Sequence, residues 1–163
     1  MPHPTDDPTA PRCADRRSPL STNTRVIHAT PDKVWEVLSD GWLYPLWVVG
    51  ATRMRGVEGH WPEVGARLHH SVGVWPIVAN DDTVSLECDP SRRLRLRAKG
   101  WPLGEANVAL ELEPHDEGTL VRLHEDAVKG PGLLIWKPIR QQMLTVRNVE
   151  SLRRLAFLVE GRA

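Results

Sequence analysis

Over residues 51–129, apolar and polar positions alternate or form short apolar runs between turn signals, and no helical period is sustained. That spacing marks an antiparallel meander. It predicts strands near 51–57, 65–73, 77–88, 92–99, 105–113 and 119–128, joined at Gly59 to Pro62, Val74-Trp75-Pro76, Asp89-Pro90-Ser91, Gly100 to Gly104 and Pro114 to Gly118. Upstream, residues 21–28 read as one more strand. Thr30-Pro31-Asp32 then opens a helix with a capping residue and a proline at the first helical position. Val34, Trp35, Val37 and Leu38 give it an apolar face, Asp40-Gly41 stops it, and GWLYPLWVVG follows as a second short helix or turn broken by Pro45. After Gly130-Pro131-Gly132 the period changes. Ile139, Met143, Val146, Val149, Leu152, Leu155, Ala156 and Val159 recur at helical spacing, opposed by Arg140, Arg147, Glu150 and Arg154.

The predicted order is strand, two short helices, six strands and one long helix, an α+β chain. A strongly curved antiparallel sheet with the long helix against its inner face would cover both apolar surfaces. A sheet that curls around a helix leaves room for a cavity. Residues 1–20 carry five prolines and no apolar period, so they cannot offset their ordering entropy and are expected to be a disordered tail. One domain over 21–160 remains.

Composition acts here by exclusion. Lys plus Arg and Asp plus Glu each number 21, so the formal net charge is zero and no global field favours phosphate polymers or anionic lipid. No nucleic-acid partner is expected. Cys13 and Cys88 are 75 positions apart with no second pair, which fits neither a disulfide framework nor half of a zinc site. The longest uncharged apolar run, Gly41 to Thr52, is interrupted by Pro45 and falls short of the roughly 18 residues of a membrane span. No apolar stretch follows Arg16-Arg17 as an export signal would require. A reducing cytoplasmic location and no stable membrane insertion are expected.

The alternation also assigns faces. Arg93, Arg95, Arg97 and Lys99 alternate with Leu94, Leu96 and Ala98, and Glu105, Asn107, Glu111 and Glu113 alternate with Ala106, Val108, Leu110 and Leu112. A hairpin whose paired positions sum to 204 sets Lys99 opposite Glu105, Arg93 opposite Glu111 and Leu96 opposite Val108. The basic run is then a solvated face neutralised across the sheet. In the following strand Val121 and Leu123 face inward, and the same phase carries Glu125 with them. A carboxylate there is paired, neutralised or wet, or it sits at the strand end and reaches solvent. His70 shares the phase of Ala66, Leu68 and Val72; a lone interior histidine is more often a hydrogen-bonded core residue than a catalyst. His69 points the other way, so the two cannot clamp one metal, and no metal site or cofactor is expected.

The aromatic count is lopsided: seven Trp against one Tyr and one Phe. Alternate turns of a meander share one end, and the connections there carry Trp75, Trp101 and Trp136, with Trp42, Tyr44 and Trp47 arriving from the same end. Such indoles plug the open end of the core, line a ligand mouth, or meet a partner. No G-x-S-x-G elbow, Walker loop, dinucleotide fingerprint or H-E-x-x-H stands in the chain.

Taken together, IHATPDKVWEVLSD, WLYPLWVVGA, HHSVGVWP, RRLRLRAKGWPLGEANVALELEP, GTLVRLHEDAVKGPG and RNVESLRRLAFLVEG resemble the START-like, helix-grip (SRPBCC) superfamily, within it the bacterial polyketide cyclase/dehydrase and lipid-transport group. The resemblance implies a helix-grip fold with a deep apolar cavity. It does not imply one activity, since members act as hydrophobic-ligand carriers, aromatase/cyclases, hormone sensors or chaperone partners. The leading expectation is a binder of a small hydrophobic or amphipathic ligand, lipid or polyketide-like, as carrier or sensor. Leu96, Val108, Leu110, Val121 and Leu123 would form the sheet wall, Met143 and Val146 the helix wall, and Trp47, Trp75, Trp101 and Trp136 the rim. His70 and Glu125 would orient a polar group. In the rival expectation these two are the general acid or base of a cyclase or dehydratase acting on a carbonyl substrate. A third is a module that binds a second copy or another protein through the Trp-lined end.

Overall fold

The computed structural model describes residues 21–100, 104–129 and 137–162. Seven strands, β1 (Ser21–Ile27), β2 (Ala51–Glu58), β3 (Arg67–Val74), β4 (Ile77–Asp89), β5 (Arg93–Gly100), β6 (Gly104–His115) and β7 (Gly118–Lys129), form one antiparallel sheet in the order β1-β7-β6-β5-β4-β3-β2. Strands β2 to β7 are a plain meander, and β1 pairs with β7 at its far edge. Between β1 and β2 lie α1 (Pro31–Leu38), a 3-10 turn (Gly41–Leu43) and α2 (Tyr44–Trp47); α3 (Lys137–Glu160) follows β7. This is the α+β, helix-grip arrangement expected from the sequence. The expected tail lies outside the described residues.

Local chemistry accounts for the elements. Pro31 starts α1, whose Val34, Val37 and Leu38 are buried, and the Ser39 hydroxyl donates to Trp35 O at 2.8 Å at its end. The Asp40 carboxylate caps the next turn by accepting from Trp42 N–H at 3.0 Å. Gly41 allows that turn to press on the sheet, because a Cβ there would stand 2.6 Å from Leu68 Cδ2. The β5–β6 register is the 204-sum pairing: Arg93 faces Glu111, Leu96 faces Val108 and Lys99 faces Glu105. On the outer face Arg93 lies 3.7 Å from both Glu87 and Glu111, and Arg95 lies 3.4 Å from Glu87. The basic run is thus met by carboxylates.

The inner face divides into two regions. At one end, Ile27, Val34, Leu68, Leu94, Leu110 and Val121 pack with Leu152, Leu155, Ala156 and Val159 of the C-terminal half of α3 in a solid core. At the other, α2 and the N-terminal half of α3 stand off the sheet and enclose a cavity.

Candidate functional site

The cavity measures about 330 Å³, within the roughly 300–1,000 Å³ of small-molecule sites. Leu96, Ala98, Ala106, Val108 and Leu123 form its sheet wall, Tyr44, Trp47 and Val48 its α2 wall, and Met143, Leu144, Arg147, Asn148 and Ser151 its α3 wall. Gly50, Gly73, Lys99 and Gly104 border it at the end of the sheet where the β3–β4 and β5–β6 turns lie. At Gly73 φ is +120°, and a Cβ would meet Ile77 O at 2.2 Å, so glycine is required where the rim bends.

Strand register explains how polar groups come to face an apolar space. Ser21, Glu125, Val108, Leu96 and Ser85 stand opposite one another across five strands. Alternation therefore carries the Glu125 side chain inward with Leu123, and it is 2 % exposed. Arg147 of α3 donates from Nη2 to Glu125 Oε1. His70, also 2 % exposed, faces the cavity from β3 with its Nε2 at 2.9 Å from Thr83 Oγ1, which lies 3.0 Å from the Tyr44 hydroxyl. Burial pushes the Tyr44 phenol up to about 12, and burial lowers His70 below its ordinary value against the pull of Asp81. Both are neutral near pH 7.

Among the described residues, five buried side-chain polar atoms have no hydrogen-bond partner, and three of them belong to cavity residues: His70 Nδ1, Glu125 Oε2 and Asn148 Nδ2. Unpaired buried groups are costly, so these three call for partners from the cavity, water or a ligand group. No group of three or more His, Cys, Asp or Glu among the described residues could hold a metal ion.

Of the residues singled out in the sequence, Glu125, His70, Trp47, Leu96, Val108, Leu123 and Met143 line this cavity. Others do not. Leu110 and Val121 are buried in the solid core instead, because they stand nearer the β6–β7 turn, toward the C-terminal half of α3. Trp75 is 86 % exposed beyond the rim at Gly73 and is not a lining residue. Val146 is 63 % exposed, away from the cavity. The phase set by Leu152, Leu155 and Val159 continues backwards through Asn148 and Leu144, which turns the stripe Ile139, Met143, Val146 outward and leaves only Met143 at the cavity edge. Trp101 and Trp136 lie outside the described residues. Sequence reasoning brings Tyr44 to the aromatic end without giving it a site role, and it misses Arg147, Asn148 and Ser151, for which the backward continuation of the Leu152–Val159 phase is the available signal.

The family model for polyketide cyclase / dehydrase and lipid transport matches residues 19–159. The chain belongs to this family. No curated protein matches it. Among solved structures, the aromatase/cyclase Zhui from Streptomyces sp. R1128 is similar at 20% identity over 87% of this chain and 93% of its own, with a TM-score of 0.65. The di-domain ARO/CYC StfQ of the steffimycin biosynthetic pathway is similar at 15% identity over 87% of this chain and 50% of its own, with a TM-score of 0.68. A protein from Nitrosomonas europaea is similar at 17% identity over 87% and 94%, also with a TM-score of 0.68. At these identities the likeness to this family member is one of fold. Among the described residues no helix is long and apolar enough to cross a membrane.

Proposed function

We propose that this family member binds a small hydrophobic or amphipathic molecule, lipid or polyketide-like, in the cavity between the sheet and α3, as a carrier or sensor. One observation carries the reading: an apolar cavity of about 330 Å³ gathers three unpaired buried polar atoms at its wall. Burying ligand surface against Leu96, Ala98, Ala106, Val108 and Leu123 supplies the driving force, roughly 25 cal/mol per Å² before ordering costs. The polar atoms orient the ligand. The domain over residues 21–160 acts as one binding unit.

A second reading, a cyclase or dehydratase, is favoured by the linked hydroxyls and imidazole of Tyr44, Thr83 and His70 beside the Glu125 carboxylate. In that case His70 or Glu125 moves a proton at a ligand carbonyl or its neighbouring carbon. The tests separate cleanly. Native mass spectrometry of protein purified from its own host, followed by solvent extraction, yields a defined adduct if the cavity is a carrier or sensor site; repeated clean apo mass overturns stable carriage. If catalysis is the role, Glu125→Gln abolishes turnover of the identified compound with affinity nearly intact, and equal loss of both excludes it.

A further inference from the structure

The wall around Glu125 joins an ion pair to unpartnered polar atoms in an otherwise apolar cavity. Arg147, taken alone, is the natural anchor for a carboxylate, since a guanidinium pairs with one through two parallel hydrogen bonds. In this cavity its Nη2 already donates to Glu125 Oε1, and the charges of the pair cancel, so an entering anion would have to compete with Glu125 for the guanidinium. Beside the pair, the unpartnered atoms of the wall are the other oxygen of the same carboxylate, Glu125 Oε2, which can only accept a hydrogen bond, the Asn148 amide Nδ2, and His70 Nδ1 of a neutral imidazole on β3. An incoming anion would meet that oxygen as a like charge in surroundings of low polarity. An incoming hydroxyl donates to it and can share its oxygen with the amide, replacing hydrogen bonds that water would otherwise make. The one other cationic side chain lining the cavity among the described residues is Lys99, at the rim and opposite Glu105 in the β5–β6 register.

Building on the ligand-binding reading above, we infer that the polar end of the ligand is an uncharged hydroxyl of alcohol, enol or phenol type, docked on Glu125 Oε2 and Asn148, and that carboxylated ligands are rejected. Discrimination then lies in the ligand's head group, because the apolar walls treat hydrocarbon bodies of similar size alike.

Three probes of one shape test it: 2-naphthol, 2-naphthoate and 2-methylnaphthalene, titrated into the full chain by calorimetry at pH 7. The expected order places 2-naphthol about tenfold or more tighter than both others. In Glu125→Gln, which keeps the side-chain shape and frees the Arg147 charge, 2-naphthoate gains about tenfold and 2-naphthol loses affinity. Equal or tighter binding of 2-naphthoate by the unaltered protein overturns the inference and leaves cavity binding standing. Failure of all three, the hydrocarbon included, overturns both. Should Glu125→Gln not fold, the ranking by the unaltered protein decides alone.

Discussion

Arg147 of α3 and Glu125 of β7 form an ion pair in the wall of the cavity, with the Glu125 side chain 2 % and the Arg147 side chain 37 % exposed. The pair ties the N-terminal half of the long helix to the sheet where apolar packing gives way to open space. Removing one partner strands a buried charge, whereas removing both can be nearly neutral. Arg147→Met is therefore expected to cost about 2–3 kcal/mol, below the full penalty for a buried pair because Arg147 is more than one-third exposed and its charge is screened. Adding Glu125→Leu should restore most of that. Urea denaturation of the two single variants and the double variant measures the coupling; additive losses would show that the pair contributes nothing as a pair.

Adjacent histidines on β3 should act on stability with opposite signs. His69 points outward, with Nδ1 at 2.7 Å from Asp82 and Nε2 at 2.9 Å from Glu58, and the hydrogen bond to Asp82 followed by that to Glu58 raises it above its ordinary value. Its stabilisation is full below about pH 6.5 and is lost as pH rises through the elevated folded value. His70 is lowered by burial, so below about pH 6.5 the unfolded chain takes up a proton that the folded one refuses, and stability falls as the medium becomes more acidic. Melting temperatures from pH 5 to 9 should fall less steeply above pH 6.5 in His69→Gln and less steeply below it in His70→Asn. Unchanged slopes in either variant would remove that histidine from the account.

Rotation of α3 makes a sharp contrast in mutational cost. Val146 and Leu152 both belong to the apolar series read from the sequence, yet Val146 is 63 % and Leu152 1 % exposed. Val146→Ser is expected to change stability by under about 0.5 kcal/mol, and Leu152→Ala to cost about 2–5 kcal/mol. Comparable losses from thermal or urea melts of the two would mean that the helix is rotated from the phase that buries Leu152 and exposes Val146.

The same helix shows how far the sequence could be read. Along β5 and β6 one period serves, because Leu94, Leu96, Val108, Leu110 and Leu112 alternate with mostly charged outer positions; that alternation, together with the turn at Gly100 to Gly104, fixes the β5–β6 register, and Glu125 and His70 stand out as polar residues in an apolar phase. In α3 two apolar stripes overlap, and only the one ending in Leu155 and Val159 has a sheet to pack against. The cavity takes the place of that sheet further back, so the inward positions there are Arg147, Asn148 and Ser151, residue types that alone read as a solvated face. The Tyr44–Thr83–His70 link joins α2, β4 and β3, and no local pattern contains it.

Division of the inner face into core and cavity is testable with one kind of substitution at two sites on β6. Ala106 lines the cavity and Leu110, four residues on along the same inward phase, is fully buried in the core. At Ala106 a phenylalanine ring has space to occupy, so Ala106→Phe should leave the melting temperature unchanged or raised while weakening 2-methylnaphthalene about tenfold or more, since the added ring takes ligand volume. At Leu110 the surroundings are already filled by Leu94, Leu123 and the α3 side chains, and Leu110→Phe should cost about 1–3 kcal/mol by overpacking. If Ala106→Phe destabilises as much as Leu110→Phe, the space beside Ala106 is closed in solution and the ligand-binding reading loses its ground. If the two behave as expected, the polar cluster at Glu125 and Asn148 borders a space that a hydrocarbon can fill, and the head-group selection argued above has a body to act upon.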